Sequence, residues 1–222
     1  MPRSLTNYQI KLLAAVFMVI DHIGAVLLPD VAELRIIGRL SFPLFCWLLV
    51  QGEAHTRNVY RYGRRLLLWG IISQPIYQLT FELAWWEDLN ILFTLLIGLV
   101  CLRSARAFPE LEPPIWLAGG LVAEAIHANY GIYGIALIAL IAHFKPDQLW
   151  WAVWIVLHLL TLIAWGDQIV AAASPIFFWL ANYQPGAKAR WFYLFYPGHL
   201  LVLFGIKFYL LPGVLGAIAL LS

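Results

Sequence analysis

The sequence predicts an all-α fold: a polytopic integral membrane helical bundle of about nine or ten transmembrane helices, forming a single domain over residues 1–222. Three observations lead there. Hydrophobic residues make up 63% of the 222 positions and charged residues 12%, with a mean hydropathy of +0.81, far outside the range of soluble domains. Apolar runs near the ~20 residues needed to cross a bilayer fill almost the whole chain, leaving no polar block long enough for a separate core. Lysine and arginine also collect in alternate connections, as they do on the cytoplasmic side of membrane proteins.

In chain order the expected spans cover 8–29, 34–51, 63–83, 88–103, 113–128, 130–144, 148–165, 167–182 and 190–207. The breaks between them carry turn chemistry: Pro29-Asp30, Gly52 to Tyr62, Trp85 to Asp88, Arg103 to Pro114, Asn129-Tyr130-Gly131, Lys145-Pro146-Asp147, Gly166-Asp167 and Asn182 to Lys188. The final stretch FYLLPGVLGAIALLS is open to three readings: a tenth span, a re-entrant piece or a continuation of the ninth. The N-terminus has basic residues ahead of an apolar run, but no small-residue cleavage site follows, so it reads as a retained first span. Cys46 and Cys101 lie inside spans and read as packing residues, with neither a disulfide nor a thiolate metal site implied.

Arg3, Lys11, Arg57, Arg61, Arg64, Arg65, Arg103, Arg106, Lys145, Lys188 and Arg190 fall on one side, which sets the N-terminus in the cytoplasm. Asp30, Glu33, Glu82, Glu87, Asp88 and Asp167 face the other side, against Arg35 alone. The formal charge of +2 is small and carries no nucleic-acid footprint.

Function is sought among polar groups inside spans, because an unpaired charge there costs several kcal/mol, about 2.5–3.5 on insertion scales. Asp21 and His22 interrupt the run FMVIDHIGAV in the outer half of the first span, and Arg39 in GRLSFPLF enters the second span at a similar depth. An Asp21–Arg39 ion pair is expected, with Pro43 opening a bend at the carbonyl of Arg39. Adjacent helical residues point about 100° apart, so Asp21 can bind Arg39 while His22 faces a cavity as a general base. The plainer reading, two helices stapled by charge, competes with it. Asn90, Glu124, His127, Tyr130 and Tyr133 reach the outer half from other spans, and His199 lies mid-span beside Pro197 and Gly198. On the cytoplasmic face, Glu53, His55, Thr56, Arg57, Asn58, Arg61, Arg64 and Arg65 form a set suited to phosphate, since guanidinium groups hold phosphate bidentately. The same arginines also serve simply as the orientation signal.

The order LLAAVFMVIDHIG, LRIIGRLSFPLFCWLLVQGEAHTRNVYRYGRRLL, ISQPIY, LNILFTLLIGL and YPGHLLVL resembles the TraX family of membrane proteins, named for the acetylase of conjugative pilin. The likeness is dense over about the first hundred residues and returns near the C-terminus; between Arg103 and Gln184 it is mainly one of hydropathy. The resemblance implies a bacterial cytoplasmic (inner) membrane acetyltransferase, similar in outline to the transmembrane acyltransferases. It implies acetyl-CoA as donor, His22 as the catalytic histidine and Asp21 and Arg39 as its supports. Asn90, Tyr133 or His199 is then expected to steady the oxyanion. The acceptor is left open among a peptide N-terminus, a sugar and a small amine or other metabolite. With no activated Ser or Cys in view, direct transfer is expected, with a transient acetyl-histidine as the variant path. A proton-coupled transporter or carrier would use the same intramembrane Asp, His and Arg. A haem protein ligated by two of the membrane histidines is a weaker rival, and no metal site is expected, for want of a short-spaced ligand pair.

Overall fold

The computed structural model describes residues 3–84, 87–189 and 191–212. Within them the chain is helical, and local chemistry accounts for most helix starts. Helix α1 (Asn7–Val26) opens on a reciprocal cap, in which Gln9 N–H donates to Thr6 Oγ1 (3.2 Å) and Thr6 N–H to Gln9 Oε1 (2.8 Å). Helix α4 (Val59–Phe81) starts on Asn58, whose side chain accepts from Arg61 N–H at 2.8 Å, and α8 (Gln148–Trp165) starts on Asp147, which accepts from Trp150 N–H at 2.9 Å. Helix α6 (Glu112–Ala125) carries Pro113 and Pro114 in its first turn, where a missing N–H costs nothing.

Three expected spans differ in detail. The span expected at 34–51 is two helices, α2 (Ala32–Gly38) and α3 (Ser41–His55), with the break at Arg39 and Leu40. Pro43 therefore sits in the first turn of α3 and bends nothing; the chain has already turned before it. The span expected at 167–182 is a 3₁₀ segment (Asp167–Ala173) followed by the short α9 (Pro175–Leu180). The last described helix, α10 (Phe192–Gly205), continues into a π-helical turn, Ile206–Leu210. Helices α5 (Ile91–Ala107) and α7 (Gly131–Ala142) lie close to expectation. Trp85, Trp86, Arg190 and the segment from Gly213, where a tenth span was considered, lie outside the described residues. Among the described helices two, Asn7–Val26 and Phe192–Leu210, are long and apolar enough by length and composition to cross a membrane.

Contacts between helix ends show that the chain alternates direction. Glu53 at the end of α3 meets Arg106 at the end of α5 (2.9 Å), Arg65 near the start of α4 meets Tyr193 near the start of α10 (3.2 Å), and Leu5 pairs with Ala181 after α9. Those ends share one basic face. At the opposite face the connection after α4 pairs with the connection after α6 through Leu89 and Ala128, and Lys207 after α10 reaches Glu82 (2.9 Å). The core between them is built from Ile10, Phe42, Trp47, Leu99, Ile135 and Ile138, with Trp47 stacked on Phe178 at 4.9 Å. Cys46 and Cys101 are buried and free, as packing residues are.

Helices α1 and α2 approach closely at Gly24 and Gly38, and a Cβ added at Gly38 would overlap the Cα and Cβ of Asp21. Backbone cannot yield as a side-chain tip can. Gly38→Ala should lower stability by about 1–3 kcal/mol, whereas Gly63→Ala, whose added methyl meets only Leu96 and Leu99 at ordinary contact distance, should be neutral or stabilising. Unfolding midpoints of the purified variants check both.

Candidate functional site

Asp21 is buried in the last turns of α1. Its Oδ2 accepts from Arg35 Nη1 at 2.5 Å, and the same nitrogen lies 3.2 Å from the Asp21 carbonyl; Arg39 Nη1 stands 4.0 Å from Oδ1. The expected partner was Arg39, and the closer one is Arg35. The reason is the break at Arg39: α2 lies across α1, and two arginines four positions apart on it share a face.

His22, one position on, turns away from the arginines toward α10, as the 100° helical step requires. Its Nδ1 lies 2.8 Å from His199 Nε2, with the two rings within 11° of parallel, and Phe81 packs edge-on against it. His199 Nδ1 in turn lies 2.8 Å from the Phe195 carbonyl. A carbonyl only accepts, so His199 Nδ1 carries a hydrogen. With both rings neutral, His199 Nε2 is then the acceptor, His22 Nδ1–H is the donor, and His22 Nε2 keeps its lone pair. A backbone carbonyl thus sets the tautomer of both rings. The sequence named both histidines as candidates without pairing them.

Asp21, His22, Arg35 and Arg39 line a cavity of about 360 Å³ together with residues not singled out from the sequence as site residues: Tyr77, Asp88, Asn129 and Gln168. Tyr77 O–H donates to Asp88 Oδ2 (3.0 Å), Asn129 Nδ2 donates to the same oxygen (3.1 Å), and Gln74 Nε2 holds the Asp88 carbonyl (2.8 Å). The backbone pairing of Leu89 with the 127–129 turn brings Asp88 and Asn129 together, by bonds of 2.8 Å from Leu89 N–H to His127 O and 2.9 Å from Asn129 N–H to Leu89 O. The available signal was the polar stretch SQPIYQ inside an apolar run.

Asn90 does not join this site. Its amide donates to Gly70 O (2.9 Å) and Gln74 Oε1 (2.7 Å) while its oxygen caps α5 at Leu92 N–H (3.1 Å), so every hydrogen is committed and the side chain is fully buried. Tyr133 is likewise held by His158 (3.3 Å) and Gln168 (3.1 Å) in the core. Glu124 accepts from Ile132 N–H (3.1 Å) at the start of α7, and His127 is exposed. Tyr130 does line the cavity, stacked on Phe42 at 4.1 Å.

A second cavity, about 760 Å³, opens toward the basic face and carries Lys11, Arg65 and Lys188 with the aromatic rings of Tyr62, Phe192 and Tyr193. Of the expected phosphate set it takes His55, Thr56 and Arg65. The others are placed elsewhere. Glu53 is buried against Arg106, with Arg103 at 4.0 Å, clamping α3 to α5. Asn58 is occupied as the cap of α4, and Arg57, Arg61 and Arg64 are exposed outside the cavity wall. Arg64 is one helical step off the face that carries Arg65. Lys11, which packs its ammonium 5.0 Å from the Phe192 ring, and Lys188 enter from distant parts of the chain. The two cavities share four lining residues, Met18, Phe45, Ile91 and Tyr196.

The Asp21 geometry yields one prediction. Removing a hydrogen bond to a charged group costs about 1.5–3 kcal/mol, so Arg35→Ala should lower the stability of the protein by about that much. Chemical denaturation of the variant beside the wild type measures the difference.

The TraX protein family model matches residues 6–207. A probable fimbrial assembly protein, FimC of serogroup H1, from Dichelobacter nodosus is 30% identical over 91% of this chain and 96% of its own length. An uncharacterized protein of Rickettsia prowazekii is 35% identical over 42% of the chain and 36% of itself, and Protein TraX of Escherichia coli is 33% identical over 59% of the chain and 52% of itself. No solved structure matches. With a family model spanning nearly all of its helices, the chain belongs to the TraX protein family.

Proposed function

We propose that this protein is a multi-pass acetyltransferase of the bacterial cytoplasmic membrane, with its N-terminus in the cytoplasm, that moves acetyl from cytoplasmic acetyl-CoA to an amine or hydroxyl acceptor at the far side. The observation that carries the proposal is the shared wall: a cavity with three cations at its basic mouth abuts a cavity lined by a histidine of defined tautomer.

The membrane assignment is supported by an inverted polarity. Large apolar side chains such as Leu68 and Ile71 on α4, Leu117 and Leu121 on α6, Val156 and Leu160 on α8, and Leu201 and Val202 on α10 are exposed. Ser73, Gln74, Gln78, Thr80, Asn90 and Thr94 are buried. Soluble monomers rarely leave contiguous apolar surface larger than a few hundred Å². The short α7 and the broken segment 167–180 are compatible with this reading, because irregular backbone is tolerated at membrane depth where protein surrounds it.

In the proposed reaction the CoA phosphates sit against Lys11, Arg65 and Lys188, and pantetheine runs through the apolar part of the inner cavity toward His22. An extended arm of that kind crosses about half of a ~30 Å hydrocarbon core. The acceptor enters the outer cavity. Its nitrogen or oxygen attacks the thioester carbonyl carbon while His22 Nε2 takes the proton. As the tetrahedral intermediate collapses, the C–S bond breaks and the thiolate receives the proton, leaving free CoA and acetylated acceptor. Arg39 lines the same cavity and supplies positive charge for the developing oxyanion. His199 acts through His22, as a positioning residue.

Purified protein given labelled acetyl-CoA and a generic amine should release CoA and form labelled product; a transporter would leave the thioester intact. His22→Ala should lower the rate by about 10²–10⁴-fold, the range for loss of a general base. A normal rate in that variant removes His22 from the mechanism. Arg65→Ala should raise KM for acetyl-CoA while leaving KM for acetyl-pantetheine, which lacks the adenosine phosphates, unchanged.

A further inference from the structure

We propose that Met18 and Tyr196 form a selection slot that sets the cross-section of the acyl group reaching His22, admitting acetyl and other narrow unbranched groups and excluding branched ones. This inference rests on the acetyltransferase reading and concerns the donor side of the same site.

Met18 lies four positions before His22 on α1, and Tyr196 three positions before His199 on α10. Both spacings put the earlier residue on the same helix face, one turn of about 5.4 Å nearer the basic end. The two histidines are hydrogen-bonded to each other at 2.8 Å, so the residues one turn below them on the two helices face each other as well. Met18 and Tyr196 do belong to one packed cluster, each only 6% exposed, and Phe45 from α3 and Ile91 from the start of α5 pack against it. These four side chains are the ones common to both cavities. A donor whose phosphates lie at Lys11, Arg65 and Lys188 enters acyl end first, so its acyl group passes this ring before its carbonyl meets His22. Methionine suits the position: an unbranched thioether shifts between rotamers to let a slender group by, while the tyrosine ring opposite it is rigid.

The test compares acetyl-CoA with isobutyryl-CoA on the full-length protein, in transfer (kcat/KM) and in equilibrium binding. The wild type should prefer acetyl-CoA by at least about tenfold, as a tight apolar passage discriminates single methyl groups. Met18→Ala should shrink that preference by about tenfold, and Tyr196→Ala should do the same while Tyr196→Phe, which keeps the ring, retains it. If Met18→Ala fails to fold, Ile91→Ala opens the same ring from another helix and carries the same expectation. Transfer of acetyl with an unchanged acetyl-to-isobutyryl ratio in the opened variants overturns the slot and leaves the acetyltransferase reading standing. A wild type that neither binds nor consumes any acyl-CoA overturns both.

Discussion

A buried carboxylate has to be paired, and in this chain Asp21 faces two arginines from one short helix and its end. Arg35 and Arg39 both come from α2 and its end, so satisfying one charge on α1 fixes how α2 lies across it. That crossing works only because Gly24 and Gly38 let the two backbones approach, which gives the sequences DHIG and GRLSF a common physical purpose. Once Asp21 is turned toward α2, the helical step leaves His22 turned toward α10. One ion pair therefore aims the neighbouring imidazole.

From there orientation passes through backbone. The Phe195 carbonyl assigns the His199 hydrogen, and His199 assigns that of His22. Carbonyls do not titrate, so the His199 end of this chain is fixed by backbone, and the His22 tautomer holds as long as His199 is neutral. The opposite wall follows the same logic, since Asp88 is placed by a backbone pairing between two connections and then held by Tyr77 and Asn129. The cavity thus sits where three constraints meet: an ion pair between α1 and α2, a histidine pair between α1 and α10, and a backbone pairing between two connections.

The polar residues inside the bundle divide into two kinds. Asn90, Gln74, Thr80, Tyr133 and Glu53 have their polar atoms engaged by neighbouring helices or caps, and they register those helices against one another. His22, Arg39, Tyr130 and Asn129 line open volume. Residue type does not separate these groups; what separates them is whether the packing around them leaves open volume beside the side chain.

Hydropathy and the alternation of basic and acidic connections were enough to place nearly every helix and to predict which ends share a face, because both follow from composition along a one-dimensional chain. That Asp21, His22 and His199 would be partnered was also legible, since a polar group in an apolar run demands a partner wherever it lies. The partner itself was not legible. Arg35 replaced Arg39 as the closer cation because α2 breaks at Arg39, Asn90 became a cap because Gly70 and Gln74 stand opposite it, and Arg57, Arg61 and Arg64 stayed outside a cavity that draws its cations from Lys11, Arg65 and Lys188. Such pairings join residues as far apart as 22 and 199. Distance along the chain says nothing about them; only the packing of helices decides which faces meet.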